Sequence, residues 1–133
     1  MSRRLQFLSA TKAFADRTRV RILAGLRGGE LCVCELCDAL QVTQSTLSTH
    51  LQVLRRAELV ATRREGKWSY YAIATAAEQP LALLFEAFSE SLANDRTLRA
   101  DARRLQKRLT LRDAGACCVG FSCTKSRRST CPP

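Results

Sequence analysis

The sequence predicts a mainly α-helical domain with a single β-hairpin, and three observations carry that prediction. Apolar residues recur at helical spacing through most of the first 95 positions. The stretch "QVT" at 41–43 separates two short helical patterns, as a turn between consecutive helices would. "LVATRREGKWSYYAIA" is rich in β-branched and aromatic residues on either side of Glu65-Gly66, where glycine can supply the positive φ of a tight turn.

Leu5, Leu8, Ala13 and Phe14 predict a first helix that ends near Ala15, and Asp16 is placed to cap a second, "RTRVRILAGL". Val20, Ile22 and Leu23 of that helix face a core, and Gly28-Gly29 ends it. "CVCELCDAL" reads as a short helix, and Thr43 caps the next pattern, "QSTLSTHLQVLRRAELV". At about 100° per residue, Leu47, Leu51 and Leu54 share one face there. The opposite face collects Ser45, Ser48, Thr49, Gln52 and Arg56 with almost no acid. Arg63, Arg64 and Lys67 make the hairpin tip basic. Pro80 suits the first turn of a further helix, with Leu81, Leu84, Phe85, Phe88 and Leu92 as its stripe. Asn94-Asp95 interrupts the pattern before "RTLRADARRLQKRL". From Arg112 onward periodicity is lost, and a mobile tail is expected apart from its thiols.

Two short helices joined by a three-residue turn and followed by a basic hairpin make a winged helix-turn-helix. In that arrangement the second helix offers its N-terminal polar residues to base edges in the major groove, and the hairpin reaches the flanking backbone. Gln44, Ser45, Ser48, Thr49 and Gln52 are the candidates to read bases or phosphates, and Arg63, Arg64 and Lys67 to contact phosphate.

The net charge of +10 favours a polyanionic partner but does not by itself separate nucleic acid from a membrane surface. Residues 1–95 hold 12 basic and 10 acidic groups and residues 96–133 hold 10 and 2, so about four-fifths of the excess lies in the last third. No window approaches the roughly 18 apolar residues of a membrane span, and the opening lacks a cleavable apolar leader. A soluble cytoplasmic protein is expected. An enzyme is not: the oxyanion loop of arsenate reductases and tyrosine phosphatases needs Cys, five residues, then Arg. The position after Cys123 is Ser129 and after Cys117 is Cys123. There is one histidine, no Gly-rich phosphate loop and no paired catalytic carboxylate.

Residues 9–73, "SATKAFADRTRVRILAGLRGGELCVCELCDALQVTQSTLSTHLQVLRRAELVATRREGKWSYYAI", resemble the ArsR/SmtB family of metal-responsive repressors, and "ELCVCELC" resembles its arsenite-sensing branch. The resemblance implies a homodimer that binds a two-fold operator and dissociates when metal binds. Residues 1–95 would then form the DNA-binding and dimerisation domain, and 96–133 a basic helical extension with a cysteine-containing tail. Arg17 departs from the Pro that members often carry after the Asp. The acid and histidine site of zinc and nickel sensors is expected to be lost, because the C-terminal helix has Asp95 and Asp101 but no histidine. His50 reads as a structural hydrogen-bonding residue.

Seven cysteines, an odd number without a secretion signal, argue against a disulfide framework. Cys32, Cys34 and Cys37 match the three sulfurs that trivalent arsenic or antimony takes in a pyramid, whereas zinc usually wants four ligands. On a regular helix Cys34 and Cys37 share a face, but about 200° separates Cys32 from Cys34. Either Cys32 lies just before the helix or binding unwinds the first turn. Core packing is the competing use for these thiols. Cadmium or lead is the rival inducer, and a Cys34–Cys37 redox switch is a further alternative. Cys117, Cys118 and Cys123 form a second three-thiol site, an accessory trap or an incidental set, and Cys131 stays unassigned. Leu5 and Leu8 of the first helix, with Leu84, Phe85 and Phe88, are the expected dimer interface.

Overall fold

The computed structural model describes residues 6–112. In order it comprises α1 (Phe7–Phe14), α2 (Arg17–Leu26), β1 (Leu31–Cys32), α3 (Val33–Leu40), α4 (Gln44–Arg56), β2 (Val60–Glu65), β3 (Trp68–Ile73), α5 (Thr75–Ala87), α6 (Ser89–Ala93) and α7 (Arg96–Leu109). Helices α2, α3 and α4 enclose the core, and an antiparallel sheet in the order β1-β3-β2 closes one side.

Local chemistry sets most of these boundaries. Asp16 accepts from the Arg19 amide at 3.0 Å to start α2, Thr43 from Thr46 at 3.2 Å to start α4, and Asp95 from Leu98 at 2.9 Å to start α7. Gln41, in the left-handed region at φ 56, closes α3 and opens the three-residue turn to α4. Leu47, Leu51 and Leu54 point inward against Leu23, Leu36 and Leu40, all essentially buried. Gly66, at φ 60, is the first of two loop residues between the paired Glu65 and Trp68, a place that primed turns reserve for glycine.

Four expectations need correction. The α4 pattern does not run on to Val60: Ala57 caps it, Glu58 turns left-handed at φ 61, and the Leu59 amide returns to the Leu54 carbonyl at 3.0 Å. That return bond frees the chain to enter β2 directly. Pro80 does not open its helix but sits inside α5, which begins at Thr75. The Ala74 amide is held by the Leu59 carbonyl at 3.0 Å, so the sheet ends there and the helix starts at the next residue. The missing Pro80 amide is tolerated on an exposed face. The stripe to Leu92 is also not one helix, because α5 stops at Phe88 (φ −110, ψ 23) and α6 follows. Finally, Arg112 is no part of a loose tail; its guanidinium is tied to Glu35 at 2.6 and 2.7 Å.

Helix α7 packs chiefly on α3 and then on α2. Arg108 pairs with Asp38, both almost fully buried, and Arg104 donates to the Ala39 carbonyl at 2.7 Å. Asp101 takes Arg21 at 2.7 and 2.9 Å and Arg104 at 2.8 Å. The basic extension, as far as Arg112, is therefore built onto the two helices that precede the α4 turn.

Candidate nucleic-acid interface and thiol site

Gln44, Ser45, Ser48, Thr49 and Gln52 all lie exposed on the outer face of α4. Thr49 is partly committed, its hydroxyl donating to the Ser45 carbonyl at 3.0 Å. The Ser45 hydroxyl shares a hydrogen bond with that of Thr43 at 3.3 Å, and the side chains of Gln44, Ser48 and Gln52 have no partner among the described residues. On the wing the structure separates three residues that look alike in sequence. Arg63 donates to both oxygens of Glu30 at 2.7 Å and to Glu65 at 2.7 Å, and its guanidinium lies 4.5 Å above the Tyr70 ring. The hydrogen bonds it donates to Glu30 and then to Glu65 raise its pKa further above an already high value. Arg64 points to the other side of the strand, and it and Lys67 have no side-chain partner among the described residues. Those two remain open to a phosphate, whereas Arg63 braces the wing.

The thiols occupy the helix one turn upstream. Cys32 is the last residue of β1 and the N-cap of α3, with extended backbone (φ −82, ψ 163). Its sulfur accepts from the Glu35 amide at 3.4 Å, and the Glu35 carboxylate accepts from the Cys32 amide at 2.9 Å. This is a capping box with cysteine in the place usually held by Ser or Thr. Of the two arrangements open in the sequence, Cys32 thus lies just before the helix. All three thiols are buried. Cys32 and Cys34 pack with Tyr70 and Trp68, whereas Cys37, three residues on from Cys34 along α3, packs in the main core. Among the described residues no three His, Cys, Asp or Glu side chains converge on a point that could hold a metal ion. The donor set suits a soft ion, but bringing three sulfurs to one centre requires the start of α3 to rearrange.

Glu35 was not singled out in the sequence and proves central. It is fully buried, holds the Cys32 amide, and carries Arg112, which also donates to the Glu30 carbonyl at 2.8 Å. The Glu35 carboxylate raises the Arg112 pKa against an opposing effect of burial, and Cys32 and Tyr70 add smaller contributions in the same direction. An i to i+3 Cys-x-x-Glu at the start of a helix was the available signal for the cap; nothing local pointed to Arg112.

A model of the bacterial regulatory protein arsR family matches residues 16–62. The arsenic resistance transcriptional regulator ArsR1 of Pseudomonas putida is 41% identical over 95 residues, which cover 71% of this chain and 73% of that one. The chain belongs to the ArsR family. The arsenical resistance operon repressor of Escherichia coli is 48% identical over 61 residues, 45% of this chain and 52% of that protein. Among solved structures, the homodimeric winged helix-turn-helix DNA-binding domain Mb0332 of Mycobacterium bovis, a possible ArsR-family regulator, matches with a TM-score of 0.61. It is 33% identical and covers 68% of this chain and 84% of that one. The ArsR-family protein is accordingly a DNA-binding transcriptional repressor of winged helix-turn-helix form, not an enzyme.

The other residues of interest in this ArsR-family chain have structural posts. Arg19 donates to Nδ1 of His50 at 3.2 Å and to the Ala13 carbonyl at 2.7 Å, joining α1, α2 and α4. Asp95 and Asp101 are engaged by Arg17 and Arg21. Arg17, where Pro is frequent in the family, uses that position to reach Asp95 at 3.2 Å and Thr97 at 2.9 Å. Leu8, Leu84 and Phe88 are exposed, together with Phe7 and Leu83, while Phe85 is buried within the protomer under Arg27. Leu5, Cys117, Cys118, Cys123 and Cys131 lie outside the described residues. No helix among the described residues is long and apolar enough to cross a membrane.

Proposed function

We propose that the protein is a cytoplasmic, arsenite- or antimonite-responsive repressor that binds operator DNA as a homodimer and leaves it when the trivalent ion takes Cys32, Cys34 and Cys37. The observation that carries this reading is the use of Cys32 as the N-cap of α3, the helix joined to α4 by the Gln41–Thr43 turn. A sulfur that binds an electrophile loses lone-pair density for the Glu35 amide, so the capping box opens as the ion is held. Gathering Cys34 and Cys37 to the same centre turns or unwinds the first turn of α3, and α4 is displaced from the groove through the short turn. By linkage, DNA weakens the ion's binding by the same factor. The arsenical resistance names of the relatives agree with this inducer class. Cys117, Cys118 and Cys123 are proposed as a second thiol site, and the exposed Leu8, Leu84 and Phe88 as part of the dimer face, backed by Phe85, with Leu5 kept in the same proposal from its sequence pattern alone.

For DNA contact we assign Gln44, Ser45, Ser48, Thr49 and Gln52 to the groove and Arg64 and Lys67 to phosphate; Arg63 acts through wing geometry. Replacing Ser48 and Arg64 by Ala together is expected to weaken operator binding at least tenfold. The Arg64 part should lower the slope of log K against log salt by about 0.9 per protomer. Arg63→Ala should leave that slope near wild type. Equal slopes for Arg64→Ala and wild type in a salt titration would remove Arg64 from the interface.

A further inference from the structure

We propose that the outward face of α7 is a second phosphate-binding surface, which takes the DNA backbone flanking the operator bases read by α4. The inference rests on the DNA-binding reading and adds an element to it. At 100° per residue, Arg96, Arg99, Arg103 and Lys107 fall within about 80° of one another on α7. All four are exposed, and none has a side-chain partner among the described residues. The helix's single acid, Asp101, lies on the opposite, buried face and is held by Arg21 and Arg104. The stripe is therefore an uninterrupted row of cations, about 16 Å long at 1.5 Å per residue. Duplex DNA presents about one charge per 1.7 Å, so a row of this length meets several phosphates.

Position favours DNA as the occupant. Arg108–Asp38 and Arg104 to the Ala39 carbonyl bolt α7 to α3, the first helix of the DNA-binding pair, and Arg112–Glu35 ties down the chain just past α7. The row thus moves as one piece with the reading head and loses little freedom on binding. Its main packing is on α3 and α2, which leaves the outer face of α4 and the wing tip uncovered. Because α3 packs on both α7 and α4, the cation row and the reading face belong to one body. The surface of α5 and α6, by contrast, carries Glu78, Glu86 and Glu90 and offers a polyanion nothing comparable.

The test compares wild type with R96Q/R99Q/R103Q/K107Q on two duplexes from the protein's own promoter. One is trimmed to the protected core, and the other is extended by about one helical turn at each end. Glutamine keeps helix propensity, and a circular dichroism melt checks the fold. Wild type is expected to bind the longer duplex more tightly and with a steeper salt slope. The variant should lose that advantage, its slope falling by about 0.9 for each phosphate contact removed, while both proteins bind the trimmed duplex alike. Restoring charge with R96K/R99K/R103K should recover the slope. An unchanged slope on the long duplex, or an equal loss on both, overturns the proposal. Failure of wild type to bind either duplex instead removes the DNA-binding reading beneath it.

Discussion

Arg108→Ala is expected to cost about 3–5 kcal/mol of unfolding free energy, the range for breaking one side of a buried ion pair. Arg108 is 4% exposed and its guanidinium bonds Asp38, itself 7% exposed, across α7 and α3. Truncation leaves a carboxylate in the interior without this guanidinium, and it also removes the aliphatic stem that fills the helix interface. Domains commonly hold about 5–15 kcal/mol in total, so the variant should unfold at markedly lower urea. A midpoint within experimental error of wild type would show that α7 is dispensable to the fold, and the rigid placement of its outer face would fall with it.

Cys32→Ser is expected to separate the two uses of that residue. Serine is among the preferred N-cap residues and can accept from the Glu35 amide as the sulfur does, so stability and operator affinity should stay near wild type. The three-sulfur set becomes two, and arsenite should then bind far more weakly, by an order of magnitude or more, as read from the ultraviolet absorption of the arsenic–sulfur bonds. The release of DNA should weaken in proportion, because an effector shifts an equilibrium only by its differential affinity for the two states. Cys32→Ala should differ by also losing the cap, at about 1 kcal/mol. If the serine variant bound arsenite as wild type does, the site would have to be built without Cys32.

What was legible in the sequence was the chemistry that acts over a few residues. Asp16 and Thr43 are read correctly as caps because each bonds an amide only three positions on; Asp95, legible only as part of a break in the pattern, caps α7 in the same way. Gly66 marks the hairpin for the same kind of reason. The two-residue β1 is too short to show alternation, and its existence depends on pairing with Tyr70 and Tyr71, some forty positions away. Pro80 misled because a local preference for the first turn was overruled by where the sheet released the chain.

The candidate site divides in the same way. Counting three thiols needs only spacing; that Cys32 lies just outside the helix was one of two arrangements the spacing left open, and the cap bond to Glu35 decides it. That Cys37 packs in the main core while Cys34 packs with Tyr70 depends on tertiary packing, which no local pattern reports. Glu35 and Asp38 look like ordinary solvated acids of a short helix until Arg112 and Arg108 reach them from 77 and 70 positions away. Arg63 was visible as a basic wing residue, but its recruitment by Glu30 was not, since that partner lies 33 positions upstream.

The central claim is that "ELCVCELC" is the switch of a DNA-bound repressor. Fluorescence anisotropy on the protein's own promoter DNA, titrated with arsenite under reducing conditions for wild type and Cys37→Ala, tests it most directly. Release of wild type, with the variant still bound at the same arsenite concentration, is the predicted result. Release of both, or of neither while DNA binding stays intact, would contradict it.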